Sequence, residues 1–275
     1  VRKIGLHLRL QSSLPELIQD AVALQVPLFQ CFLVTQAGFF IELSEVEIEQ
    51  VQACMQQFEY RFLHASYWSN LSSVKFTKHR VLMKELDLAK RLGFTHIVIH
   101  PGSAKGARYR TQGIDALART LNPLLSQEDS VRIVLENTAH GDMSIGGSFE
   151  DFKLLLEKVD RPDNLFFCVD TAHAYSYGYN IVTAEGRELF IKELQETITL
   201  NKIVLIHLND TYDRLGSHLD RHAVPGEGKI GDEALKSIIL DTRLRPIPLL
   251  LEPPALSMTQ QKTLLQKITD WHIPQ

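Results

Sequence analysis

Six residues with metal-ligating side chains recur along the chain at intervals of 34 to 45 residues: His64, His100, Glu136, Asp170, His207 and Glu252. Each closes a short apolar run. Taken singly, each is equally well explained as a hydrogen-bonded polar group at a strand terminus. Six in register are harder to explain that way, because unpaired charges crowded at one rim repel each other. Three imidazoles and three carboxylates are readily satisfied by hard-to-borderline divalent cations. A second acid and imidazole, Asp220 and His222, stand in the polar, glycine-rich stretch "LDRHAVPGEG" (219–228). In an extended segment residues i and i+2 face the same side, so the two converge on one target, either a cation or a simple surface ion pair. His173, three residues past Asp170 in "DTAH", also lies just beyond a strand end. With Asp220 and His222 it offers enough ligands for one catalytic zinc with an open position. The other six serve two more ions if one carboxylate bridges.

Something must carry these residues to one place. Short apolar runs alternate with helical patterns along all 275 residues, without a linker or low-complexity break. The strand candidates are "KIGLHL" (3–8), "LFQCFLV" (28–34), "RFLHA" (61–65), "HIVIH" (96–100), "VRIVLEN" (131–137), "LFFCVD" (165–170), "KIVLIHL" (202–208) and "IPLLLE" (247–252). They lack clean alternation, as do strands buried on both faces of a parallel sheet. Amphipathic stretches lie between them. One spans 75–93 with Gly93 as its stop, and another spans 148–159 with Ser148 as N-cap and Asp151 three residues on. Eight such units predict an α/β fold, one (β/α)8 TIM barrel occupying residues 1–275 as a single domain. Its active site belongs at the C-terminal ends of the strands. No G-x-G-x-x-G follows the first strand, which removes the usual sign of a dinucleotide site.

Composition sets outer bounds. A 44% hydrophobic content supports a full core, and a net charge of −4 argues against whole-surface nucleic-acid binding unless bound metal or a local basic patch overrides it. Three cysteines without paired spacing suit buried thiols in a reducing cytoplasm. No secretory leader pattern and no membrane-spanning apolar run is evident. The expectation is a cytoplasmic protein without membrane partners, working as a monomer.

The segments "HASY" at His64, "HPGS" at His100, "ENTA" at Glu136, "DTAHAYSYGY" from Asp170, "HLND" at His207, "DRHAVPGEGKIG" from Asp220 and "LLEPP" around Glu252 together resemble the endonuclease IV family of zinc-dependent apurinic/apyrimidinic DNA-repair endonucleases. The resemblance runs from Lys3 to about Pro254. It implies three zinc ions per chain. His64, His100 and Glu136 would hold the first. Glu136 would bridge to the second, completed by Asp170, His207 and Glu252. His173, Asp220 and His222 would hold the third. It also implies hydrolysis of the phosphodiester 5′ to an abasic site in duplex DNA, leaving a 3′-hydroxyl and a 5′ deoxyribose phosphate. Glu136 would be the catalytic carboxylate that orients the attacking water. The abasic nucleotide must flip into the mouth, at low unstacking cost because its base is missing.

The DNA-reading loops depart from the family pattern. Relatives carry an Arg with Asn and Gln neighbours after strand two, whereas "TQAGFF" (35–40) has no basic residue. Gln36 or Phe39 would wedge into the stack there, or Phe39 and Phe40 pack in the barrel mouth. Tyr67 matches a family aromatic. Trp68 either stacks at the gap left by the base or covers the core as a rim aromatic. Asn70 joins this candidate DNA-contacting set. Lys105, Arg108 and Arg110, with Tyr109 among them, form either a phosphate patch or a solvated basic loop. His218 stands where an Arg is common, which makes a phosphate contact there weaker or pH-dependent. His7 reads as a packed histidine or a support for a ligand. Two rivals stand beside the endonuclease. One is a metal-dependent sugar isomerase or epimerase of the xylose-isomerase-like class, which has little use for the third ligand set. The other is a lesion- or metal-binding relative without turnover.

Overall fold

The computed structural model describes residues 2–35, 39–75, 79–127 and 130–271. Its strands in chain order are β1 (Ile4–His7), β2 (Leu28–Cys31), β3 (Tyr60–His64), β4 (His96–Ile99), β5 (Arg132–Glu136), β6 (Leu165–Asp170), β7 (Ile203–His207), β8 (Asp210–Thr211), β9 (His222–Ala223) and β10 (Leu249–Leu251). Eight of them close a parallel barrel in the order β1-β2-β3-β4-β5-β6-β7-β10, with β10 pairing back onto β1. β8 and β9 pair antiparallel as a separate short ribbon after β7. Helices follow most barrel strands and pack outside them, giving the (β/α)8 architecture.

The barrel interior explains the spacing of the polar residues. Leu28, Phe62, Val98, Val134, Cys168, Leu205 and Leu250 form a buried cluster of their own, separate from the larger core between strands and helices. Gly5 lies opposite Leu250 in the ladder, and a Cβ on it would fall 2.2 Å from the Leu28 carbonyl oxygen. β1 therefore brings no side chain to that layer. Successive side chains on a strand alternate between faces, so each strand faces inward again two residues later. Those next inward positions are His7, Gln30, His64, His100, Glu136, Asp170, His207 and Glu252. One apolar layer seals the barrel, and one polar layer sits directly above it at the C-terminal mouth.

Three local expectations shift. The run "LFQCFLV" leaves the ladder at Cys31, and its end turns into a bridge between Val34 and Phe40. The helix expected over 75–93 is Arg80–Leu92. Its buried positions begin only at Leu82, and His79 ahead of it adopts φ 41° with no side-chain cap. Gly93 does end it, in the left-handed conformation at φ 84°. The helix expected over 148–159 is Phe149–Leu156. Ser148 caps it through the Glu150 N–H, while Asp151 turns away to accept from Gly146 N and to pair with Arg110.

Candidate metal centre

The polar layer is an unusually dense set of ligand atoms. Ligand atoms of His64, His100 and Glu136 lie within 4.8 Å of one another, as do those of Glu136, Asp170, His207 and Glu252, and those of Asp170, His173 and His222. Glu136 belongs to the first two groups and is fully buried. Its Oε2 faces His64 Nε2 at 3.2 Å and His100 Nε2 at 3.1 Å, while its Oε1 faces His207 Nδ1 at 3.0 Å. His64, His100, His173 and His222 follow one another across the mouth with ring centroids 5.2, 5.4 and 5.3 Å apart.

His173 reaches this cluster because Asp170 ends β6 and also caps the next helix, accepting from His173 N at 2.7 Å. Asp220 and His222 arrive on the segment that β8 and β9 tie down. Asp220 Oδ1 lies 3.1 Å from His173 Nε2 and 3.5 Å from His222 Nε2. The Asp-x-His pair thus faces an interior histidine rather than bulk solvent. The segment is anchored by Asp210, whose buried carboxylate accepts from the backbone N–H groups of Thr211, Gly226, Gly228, Ile230 and Gly231. A Cβ on Gly228 would sit 2.3 Å from Asp210 Oδ1, which accounts for a glycine there.

Four of the five candidate ligand imidazoles share one orientation. His64 Nδ1 lies 2.8 Å from the Ala65 carbonyl oxygen, His173 Nδ1 2.9 Å from that of Asn137, and His222 Nδ1 3.3 Å from that of Glu252. His207 Nε2 lies 3.1 Å from Gln30 Oε1. An acceptor on one ring nitrogen fixes that nitrogen as the N–H donor, so the other carries the lone pair. In every case the lone-pair nitrogen points at carboxylate oxygens of this cluster. A lone pair facing a carboxylate is repulsive unless a proton or a cation lies between. His173 Nε2 and His222 Nε2 are both buried without a hydrogen-bond partner. A backbone carbonyl or amide behind the ring and acids in front is the arrangement metal-ligating histidines use. The donor set of nitrogen and oxygen atoms suits zinc.

Without a cation, protons must fill the gap. Burial disfavours charge on His173, but Asp170 and Asp220 more than offset it and hold its pKa well above the ordinary imidazole range. His207 is likewise raised against burial, by Cys168, Glu252 and Glu136. Burial pushes the Glu136 carboxyl up, but His207 and His100 hold it well below the ordinary range, and Glu252 follows the same pattern beside His207. Cys168 also comes within 4.8 Å of Glu136 and His207, but burial pushes its thiol up to about 12. It stays a neutral member of the apolar layer.

Several supporting residues carry no charge and give no ligand signal in the sequence. Gln30 is fully buried, donates from Nε2 to Glu252 Oε1 at 2.7 Å, and sets the His207 tautomer through Oε1. Asn209 donates to Asp170 Oδ2 at 2.6 Å and to Glu252 Oε2 at 2.9 Å. Asn137 accepts from Asp170 N at 2.7 Å. Only the inward register of β2, two residues past Leu28, could have exposed Gln30. His7 packs in the same layer, 3.2 Å from Glu252 Oε1.

The expected DNA-contacting residues scatter. Gln36 lies outside the described residues. Tyr67 and Trp68 are 67% and 70% exposed, and the Tyr67 ring lies 5.2 Å from that of His100 at the mouth. Asn70 instead clamps a neighbouring loop, accepting from Ser72 N and Ser103 N. Lys105 and Arg108 are exposed, and Arg108 lies over the Tyr109 ring. Arg110 is committed to Asp151. His218 is exposed in a left-handed conformation at φ 58°, edge-on to Tyr177. Phe39 is 71% exposed rather than packed, while Phe40 lies under Lys84 Nζ.

Comparison with known proteins agrees with this geometry. The family model for the xylose isomerase-like TIM barrel matches residues 18–272. A probable endonuclease 4 from Thermotoga maritima is 31% identical over 92% of this chain and 91% of its own length. An apurinic-apyrimidinic endonuclease from Caenorhabditis elegans is 31% identical over 92% of this chain and 66% of its own. The crystal structure of endonuclease IV from Thermus thermophilus superimposes with a TM-score of 0.82 at 29% identity, over 98% of both chains. The barrel, the ligand cluster at its mouth and these relatives lead to one assignment: the chain belongs to the endonuclease IV family of phosphodiester hydrolases.

Proposed function

We propose that this protein repairs DNA by hydrolysing the phosphodiester 5′ to an abasic site in duplex DNA, using three zinc ions and leaving a 3′-hydroxyl and a 5′ deoxyribose phosphate. His64, His100 and Glu136 hold one ion. Asp170, His207 and Glu252 hold a second that shares Glu136. His173, Asp220 and His222 hold the third. The observation that carries this reading is the common orientation of four imidazoles, those of His64, His173, His207 and His222, each fixed by an acceptor behind and facing acids in front.

Bound zinc lowers the pKa of water and places positive charge at the reacting phosphate. The chain's own residues do the rest. Glu136 is kept ionised and aimed by His207, His64 and His100, as suits a carboxylate that orients the attacking water. His173 and Glu136 are sealed from bulk solvent, whereas Asp220 and His222 are partly open to the mouth. A phosphate therefore approaches from the Asp220 side. Tyr67 beside His100 and the adjacent Trp68 are both largely exposed, as suits stacking against a duplex from which a baseless nucleotide has been drawn. The free thiols suit a reducing, cytoplasmic setting, and no helix among the described residues is long and apolar enough to cross a membrane. A sugar isomerase of the same barrel class would leave Asp220 and His222 without work.

The test is incision of a duplex oligonucleotide carrying one abasic site, by protein as purified, after chelation, and after zinc return. The expected result is a single cut 5′ to the lesion, lost on chelation and restored by zinc. A fully metallated protein that leaves this duplex intact would overturn the reading.

A further inference from the structure

A cavity of about 270 Å3 opens beside the metal centre, with His222, Glu252 and His7 on one side and Phe32 and Tyr67 on another. Arg9, two residues past the inward-facing His7, stands at its edge. Among the described residues it is the only lysine or arginine lining the cavity. The guanidinium is exposed, and its hydrogen bond is a long one, from Nη2 to the Pro253 carbonyl oxygen at 3.4 Å. Among the described residues no carboxylate pairs with it. Glu252, the one acid among the described residues lining the cavity, already accepts from Gln30 Nε2 at 2.7 Å and Asn209 Nδ2 at 2.9 Å. Most of the five guanidinium donors are therefore free in a cleft that the proposed zinc ions make more positive still. An unneutralised planar cation at such a place suits the bidentate capture of a phosphate. The stretch of sequence after Val34 adds no such charge, since residues 35–40 contain no lysine or arginine.

We propose that Arg9 is a substrate-binding residue that holds a phosphate of the incised strand next to the metal centre. This rests on the endonuclease reading and adds to it the cation that grips the strand on the β1–β2 side of the mouth. Arg9 performs no bond-breaking step. Its effect belongs in affinity and in the salt dependence of binding, because each phosphate neutralised on duplex DNA releases about 0.9 of a counterion.

The experiment compares wild type, Arg9→Gln and Arg9→Lys for zinc content, for incision of the abasic duplex, and for binding to that duplex across a potassium chloride series. Arg9→Gln is expected to keep wild-type zinc and thermal stability, to bind the abasic duplex roughly 10-fold more weakly, and to lower the salt slope by about one unit. Arg9→Lys is expected to keep the slope and recover part of the affinity. A zinc-loaded Arg9→Gln protein with wild-type affinity and slope, beside a wild type that incises the duplex, overturns the Arg9 assignment alone. A wild type that carries zinc and leaves the abasic duplex uncut overturns the endonuclease reading, and the Arg9 assignment with it.

Discussion

The strand-end ring and the loops above it are built on opposite terms. Each ring residue stands two positions beyond a side chain, or a glycine, in the sealed apolar layer, so the ladder that closes the barrel also fixes where it points. Its members are buried or half-buried and hold one another, and neutral amides such as Gln30 and Asn209 lock them from behind. The loops offer Tyr67, Trp68, Phe39, Lys105 and Arg108 to solvent with few fixed partners. Chemistry requires atoms held to a fraction of an ångström. Recognition of a deformable duplex needs exposed faces and charges. Changes in the ring are therefore expected to act on metal and turnover, and changes in the loops on DNA affinity.

The sharpest break would come at Glu136. Glu136→Gln removes the shared carboxylate and is expected to lower incision by roughly 10³-fold or more, with loss of bound zinc. Metal analysis and single-turnover incision measure both, and normal zinc with normal turnover would dissolve the ring as the seat of chemistry. His222→Ala is expected to reduce zinc from three ions per chain to two, and an unchanged count would remove Asp220 and His222 from the ligand set.

Acidification probes the same ring without mutation. In the metal-free site the neighbouring acids raise His173 and His207 well above the ordinary imidazole range, so protons would compete with zinc for these nitrogens. Zinc affinity is expected to rise with pH through that raised range and to fall steeply as pH drops below neutral. Equilibrium dialysis at several pH values would reveal it, and a flat profile would contradict the competition.

Smaller effects sharpen the boundary between the two regions. Gln30→Leu keeps the volume but frees the His207 tautomer and one oxygen of Glu252, and is expected to weaken zinc binding about 10- to 100-fold. Nitrogen-15 shifts of the His207 ring would show mixed tautomers in the metal-free protein. Trp68→Ala should leave zinc untouched and weaken binding to abasic duplex by about 5- to 100-fold relative to intact duplex, the worth of one stacked base. Equal losses on both duplexes would make Trp68 a rim residue and blur the division.

That division also decides what could be read from the sequence. The six strand-end ligand candidates announce themselves because parallel strands repeat at near-constant intervals and expose one inward position at each mouth. His173 is legible from its place three residues past the strand-ending Asp170, and Asp220 with His222 from their own spacing. Gln30, Asn137 and Asn209 stay hidden, since a neutral amide gives no charge signal. Asn70 and Arg110 show a related ambiguity. A polar residue in a loop advertises a partner without naming it, and in the fold Asn70 meets the Ser72 and Ser103 backbone and Arg110 the Asp151 carboxylate.

Asp210 carries one more consequence. The segment "VPGEGKIG" has the composition of a mobile tether, yet its Gly226, Gly228, Ile230 and Gly231 amides all end on that single buried carboxylate. Their hydrogens are expected to exchange with solvent chiefly when that knot opens. The ribbon carrying His222 is thus pinned by a carboxylate outside the proposed ligand set, so loss of the proposed third ion would be expected to leave that ribbon in place.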